Sequence, residues 1–223
     1  LEKNQENIKN SDSQYRYDRV NQLLNQNGTN TIDQMASILR NRFGMNNQFV
    51  GLGNPKTLNQ LIANHSVLFY PEKKLFWIST SQFQLGKFIC YDLNEIFKNN
   101  NLDRQASIVV DSLEIKEDPF IQTAEFKNYL KFKELKEEIQ FSTMFSRDFD
   151  LSQEEIENLI RWNPESYITY KILGDYFRMK EDDDIACLMY ETALSKSIAS
   201  KYEELEIEEI LEELQGWDKL VGK

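Results

Sequence analysis

Residues 61–91 read LIANHSVLFYPEKKLFWISTSQFQLGKFICY, and the fold turns on this stretch. Residues 67–70 (VLFY) and 75–78 (LFWI) are two runs of strong β formers, joined by the tight turn Pro71-Glu72-Lys73-Lys74. Their apolar residues do not alternate with polar ones. Val67 and Phe69 point to one face, Leu68 and Tyr70 to the other, and Leu75/Trp77 against Phe76/Ile78 repeat the pattern. A hairpin apolar on both faces is expected to be covered on both, inside a layered structure between another sheet and helices. Residues 88–91 continue as a third strand after Gly86. Asp92 and Glu95 then open a short helix that runs out in Lys98-Asn99-Asn100-Asn101.

On the N-terminal side the pattern is helical. Residues 12–26 carry Tyr17, Val20, Leu23 and Leu24 along one stripe, with Gly28 as the stop. In TIDQMASILRNRFG (31–44), Thr31 and Gln34 make a capping box, Met35, Leu39 and Phe43 give the stripe, and Gly44 closes the helix. The loop that follows holds Gly51, Gly53 and Pro55. No GK[ST] follows them, so they make no phosphate-binding loop and read as a surface loop.

On the C-terminal side, Asp118-Pro119 predicts a cap and first turn for a helix running to about residue 140. Asp150 or Ser152 starts another, ended by Asn163-Pro164. Tyr170, Leu173-Gly174 and Phe177, then Ala186, Tyr190 and Ala193, stand at the offsets of a 34-residue TPR helix–turn–helix, with Ile198 in place of the closing proline. Gly174 and Ala186 are expected to face each other across that pair. Ile207, Ile210, Leu211 and Leu214 give a last helix that caps the stack.

The net charge of −11 is unevenly placed. Between positions 181 and 214 twelve Asp/Glu stand against two Lys, leaving 25 acids and 24 bases elsewhere. An acidic surface repels phosphate backbones, which argues against nucleic acid as a partner, and the acidic run reads as a solvated helix face. Two cysteines, Cys90 and Cys187, and one histidine, His65, are too few for a disulfide framework or a zinc site, and no metal or cofactor is expected. No apolar run is long enough to span a membrane, and the first residues carry no apolar signal core.

The run His65-Ser66-Val67-Leu68-Phe69-Tyr70-Pro71, followed by Leu75-Phe76-Trp77-Ile78-Ser79-Thr80 and Gln84-Leu85-Gly86, resembles bacterial relatives of acyl-CoA:6-aminopenicillanic-acid acyltransferase, a family of N-terminal-nucleophile (Ntn) hydrolases. The resemblance covers residues 12 to about 130 and is densest from 64 to 97. It implies an αββα layered fold of which residues 1–117 are the C-terminal part; with the helical connector over 118–149 and the all-α TPR-like tail over 150–223 read from the helix signals and the repeat spacing, the chain is expected to be α+β. It also implies a cysteine freed at a mature N-terminus by self-cleavage, whose α-amine activates its own thiol for attack on a linear amide. This chain begins with Leu1, and neither Cys90 in a strand nor Cys187 in a helix suits that role. The nucleophile is therefore expected on a missing N-terminal half, with no complete catalytic set here. Candidate pocket support comes from Asn64, His65 and Ser66 at the strand entrance, and from Thr57 and Asn59 in the preceding loop. For His65 the plainer reading is a ring that satisfies a backbone group, and for Arg16 and Arg19 a surface role. The alternative for the whole chain is a non-catalytic module whose TPR-like tail binds a peptide or a sister subunit.

Overall fold

The computed structural model describes residue 8 and residues 11–26, 28–98, 108–145, 147 and 149–221. In chain order these form α1 (Asp12–Gln26), α2 (Ile32–Leu39), β1 (Val67–Tyr70), β2 (Leu75–Ser79), β3 (Phe88–Asp92), α3 (Leu93–Lys98), α4 (Ala124–Met144), α5 (Gln153–Trp162), α6 (Tyr167–Met179), α7 (Asp183–Leu194) and α8 (Lys201–Val221). The chain is thus mixed α+β. No helix among the described residues is long and apolar enough to cross a membrane.

The strands form one antiparallel sheet in the order β1-β2-β3. Val67 pairs with Ile78 and Tyr70 with Leu75, and Trp77 pairs onward with Cys90. The turn closes because Lys74 takes a left-handed conformation (φ 54°) and its N–H returns to the Pro71 carbonyl. Leu68, Leu75, Trp77, Phe88 and Cys90 share one face and bury against Ala36 of α2 and Ile115. The Trp77 indole N–H donates to the Leu113 carbonyl at 2.8 Å.

The other face departs from expectation. Phe69 is 67% exposed and Val67 43%. Phe69, Phe76 and Tyr91 stack across the three strands with centroids 6.2 and 5.0 Å apart. Among the described residues the sheet is covered on the α2 side only, and no second sheet lies on the aromatic face. The helices that could have covered it pack elsewhere.

They pack on the loops. Leu52, Leu61, Phe83 and Leu85 enter one core with Phe126, Tyr129 and Phe132 of α4, Leu159 of α5, and Ile172, Leu173 and Tyr176 of α6. Residues 51–59, expected at the surface, are instead a hinge of buried backbone. Asn163 at the end of α5 accepts from Leu52 N–H and donates to Leu52 C=O, both at 2.9 Å. Gly51 (φ +84°) passes so close to Ser166 that a Cβ would stand 2.6 Å from its backbone, which only glycine permits. Asn54 reaches on to the Ser197 carbonyl. The boundary expected at residue 150 is therefore bridged by a common core and by buried hydrogen bonds.

The helical part follows its capping residues. Asp118 and Pro119 open only a short 3-10 turn (Pro119–Gln122), and α4 begins after Thr123, whose hydroxyl accepts from Phe126 N–H. This corrects the predicted start, because Thr123 supplies a second cap five residues on. α5 starts on the capping box Ser152/Glu155. Helices α6 and α7 pack closely, and α8 lies against them through Ile207, Leu211 and Leu214. Gly174 lies against the ring of Tyr190, whose hydroxyl donates to Asp175 at 2.7 Å.

Candidate functional site

The five expected support residues fall into two groups. Thr57 and Asn59 lie in the loop leading to the sheet, both buried. The Thr57 hydroxyl lies 2.8 and 3.0 Å from the carbonyls of Asn54 and Asn59. Asn59 donates from Nδ2 to the Phe83 carbonyl and accepts from Leu61 N–H. Their polar atoms stitch residues 54–61 to the Gln82–Gln84 turn, a structural task the sequence did not indicate.

Asn64, at a bend, His65 and Ser66 lead into β1. Asn64 and His65 are exposed. His65 Nδ1 lies 3.2 Å from the Ser79 carbonyl, so that nitrogen carries the proton and the ring ties the entry strand to the end of β2. Ser66 and Ser79 are coupled more tightly: Ser79 N–H donates to Ser66 C=O at 2.9 Å, and Ser66 N–H donates to Ser79 Oγ at 2.8 Å. The Ser66 hydroxyl is buried and has no hydrogen-bond partner. An activated serine requires a base within hydrogen-bond reach of its hydroxyl, and the imidazole is turned to a carbonyl instead.

The cysteines are no better placed. Neither is in a disulfide. Cys90 is fully buried in β3 on the α2 face. Burial, then the nearby Asp92 carboxylate, pushes its thiol pKa up, the wrong direction for a nucleophile. Cys187 lies within α7. No group of three His, Cys, Asp or Glu side chains among the described residues is arranged to hold a metal ion.

Of the two arginines expected at the surface, Arg19 is interior and Arg16 is half-buried. Arg19 is fully buried, with Nη2 on Asn47 Oδ1 at 2.6 Å, Nε 3.4 Å from Asn41 Oδ1 and Nη1 on Gln22. Desolvation lowers its pKa, partly opposed by Tyr15. Arg16 joins Asp12 and the Pro55 carbonyl, pinning α1 to the buried loop. Arg40 at the end of α2 escaped sequence reading altogether. It reaches three backbone carbonyls, of Gln84, Gly86 and Lys116, at 2.7–3.1 Å. The only sequence signal would have been a cation placed at a helix C-terminus.

Clefts open beside these elements. One of about 220 Å³ lies between α1 and the start of α8, lined by Tyr15, Lys56, Lys201 and Glu204. Another of about 230 Å³ lies at the hairpin, lined by Ile32, Tyr70, Trp77 and Leu113. A third, of about 300 Å³, is lined by Arg40, Asn41, Arg42 and Asp118. None of the five expected support residues lines these clefts. His65 and Ser66 brace the sheet's entrance and Thr57 and Asn59 the loop before it, an arrangement that can position a neighbouring segment but does not itself hold a nucleophile and base together. The chain matches no known protein family, no curated protein and no solved structure.

Proposed function

We propose that this chain is the C-terminal portion of an Ntn-type acyltransferase or amidase acting on linear amide bonds, with the cysteine nucleophile supplied by an upstream segment. One observation carries the reading. The sheet buries one face on α2 and presents Phe69, Phe76 and Tyr91 as an open aromatic stack on the other. An αββα architecture sets a second sheet against such a face, with α2 as one outer helical layer. In that arrangement the Ser66–Ser79 coupling and His65 brace the strand nearest the pocket. The buried Thr57 and Asn59 hold the loop behind it.

The helices from 150 onward, with TPR-like spacing, then buttress the catalytic layer. A free-standing peptide-binding tail is disfavoured by the core that α5 and α6 share with Leu52, Leu61 and Phe83.

The test is the natural coding sequence upstream of Leu1, together with turnover by the chain alone. The proposal requires an in-frame cysteine at a self-cleavage point upstream, and no hydrolysis of linear amides by the 223-residue protein. Hydrolysis by the pure chain that is abolished by Cys90→Ala would sink it, as would an upstream sequence with no cysteine.

A further inference from the structure

Around the third cleft, one carboxylate faces two guanidinium groups. Arg40 is only 9% exposed, yet all its partners are neutral backbone carbonyls, held by Nε and Nη2. Among the described residues its Nη1 makes no hydrogen bond, and that nitrogen stays open to the solvent of the cleft. The one acid in the lining, Asp118, is already committed. Its Oδ2 accepts from Arg42 Nη1 at 2.8 Å, and its Oδ1 accepts from Phe120 N–H at 2.9 Å. Arg42 itself lies over the Phe120 ring, 3.9 Å from the centroid. The lining therefore carries a net charge of one positive unit, largely withdrawn from water.

Neutral donors converge on the same space. Asn41 uses Oδ1 to accept from Phe43 N–H and Arg19, which leaves the two Nδ2 hydrogens unused. Phe43 and Pro119 supply an apolar wall. With Nε and both Nη2 hydrogens taken by carbonyls, Arg40 offers a carboxylate its Nη1 edge, so one carboxylate oxygen would sit on Nη1 and the other on Asn41 Nδ2. Desolvation lowers the Arg40 pKa, with Asp118 opposing and Arg42 reinforcing that shift, so a bound anion would relieve the imbalance.

The geometry points to a binding site for a small carboxylate ligand with an apolar body, held by Arg40 and Asn41 and flanked by Arg42. A monoanion balances the net charge. A phosphate would carry about −1.5 to −2 into a space that already holds Asp118. The site does not rest on the acyl-transfer reading.

Benzoate is the probe, titrated into the full 223-residue chain at constant ionic strength and followed by NMR of the arginine and asparagine side-chain N–H groups. Saturable shifts are expected at Arg40 and Asn41 with Kd of about 1–10 mM, as suits so few ligand atoms. Inorganic phosphate should bind about tenfold more weakly, since its charge overshoots. Asn41→Asp and Ser37→Glu each add a carboxylate to the lining without touching Arg40, and each should weaken benzoate binding about tenfold or more. Three results overturn the proposal: shifts that track salt without saturating, phosphate bound as well as benzoate, or both variants binding benzoate like the parent.

Discussion

Gly174 has little room to change. A Cβ there would stand 2.7–2.9 Å from the ring of Tyr190, which is fully buried and tethered to Asp175. Gly174→Ala should cost about 1–3 kcal/mol by overpacking, measured by urea unfolding; a change below about 0.5 kcal/mol would mean the ring can step aside. The motif spacing made Gly174, Ala186 and Tyr190 legible as interior. It did not show which of them meet, because spacing fixes helix faces and not the partner across the gap. Arg40 was illegible for a different reason: its partners are backbone carbonyls 44 to 76 residues away, with no side-chain chemistry to announce them. Tyr129 offers a test by pH. Burial, then Glu137, pushes its hydroxyl up to about 12, from an ordinary value near 10. The folded state thus favours the neutral phenol. Its contribution is full below the unfolded pKa and is lost as pH rises from about 10 to 12, amounting to about 2–3 kcal/mol. Tyr167 and Tyr190 are shifted in the same direction, so the wild type should lose stability steeply in strong alkali. Tyr129→Phe should flatten that loss by about 2 kcal/mol in denaturant titrations across the window, and an unchanged slope would refute the assignment.

At the scale of elements, the hairpin shows what pattern reading can and cannot reach. Composition and turn chemistry were enough to place β1, β2 and β3. Cover was not legible, because a run apolar on both sides says only that both sides want a partner. The two faces should answer mutation differently. Trp77→Ala, on the face packed against α2, should cost about 3–5 kcal/mol by equilibrium unfolding. Phe69→Ala on the open face should stay near 0.5 kcal/mol in the isolated chain. Equal costs would mean the aromatic face is already covered. Helix α4 illustrates a related ambiguity: Asp118 and Thr123 both cap, Asp118 accepting from Phe120 N–H to open a short 3-10 turn and Thr123 accepting from Phe126 N–H to open the α-helix.

At the scale of the molecule, the loop 51–59 joins the sheet region to the helices from 150 onward. Nothing local reveals that Asn163 will grip Leu52 across 111 residues of sequence, so the shared core was invisible before the structure. Asn163→Ala should leave a buried N–H and C=O unpaired, at about 2–4 kcal/mol, and should lower the stability of sheet and helices together. Hydrogen exchange of amides in β2 and α6 would reveal it, since a separable tail would lose protection alone. This braced sheet is proposed to be one layer of an Ntn enzyme whose other layer carries the nucleophile. The most direct measurement is the mass and activity of the product of the whole natural gene. A self-cleaved subunit beginning with cysteine is expected, active on linear amides and silenced by replacing that cysteine with alanine. An uncleaved, inactive product, or full activity in the 223-residue chain alone, would contradict it.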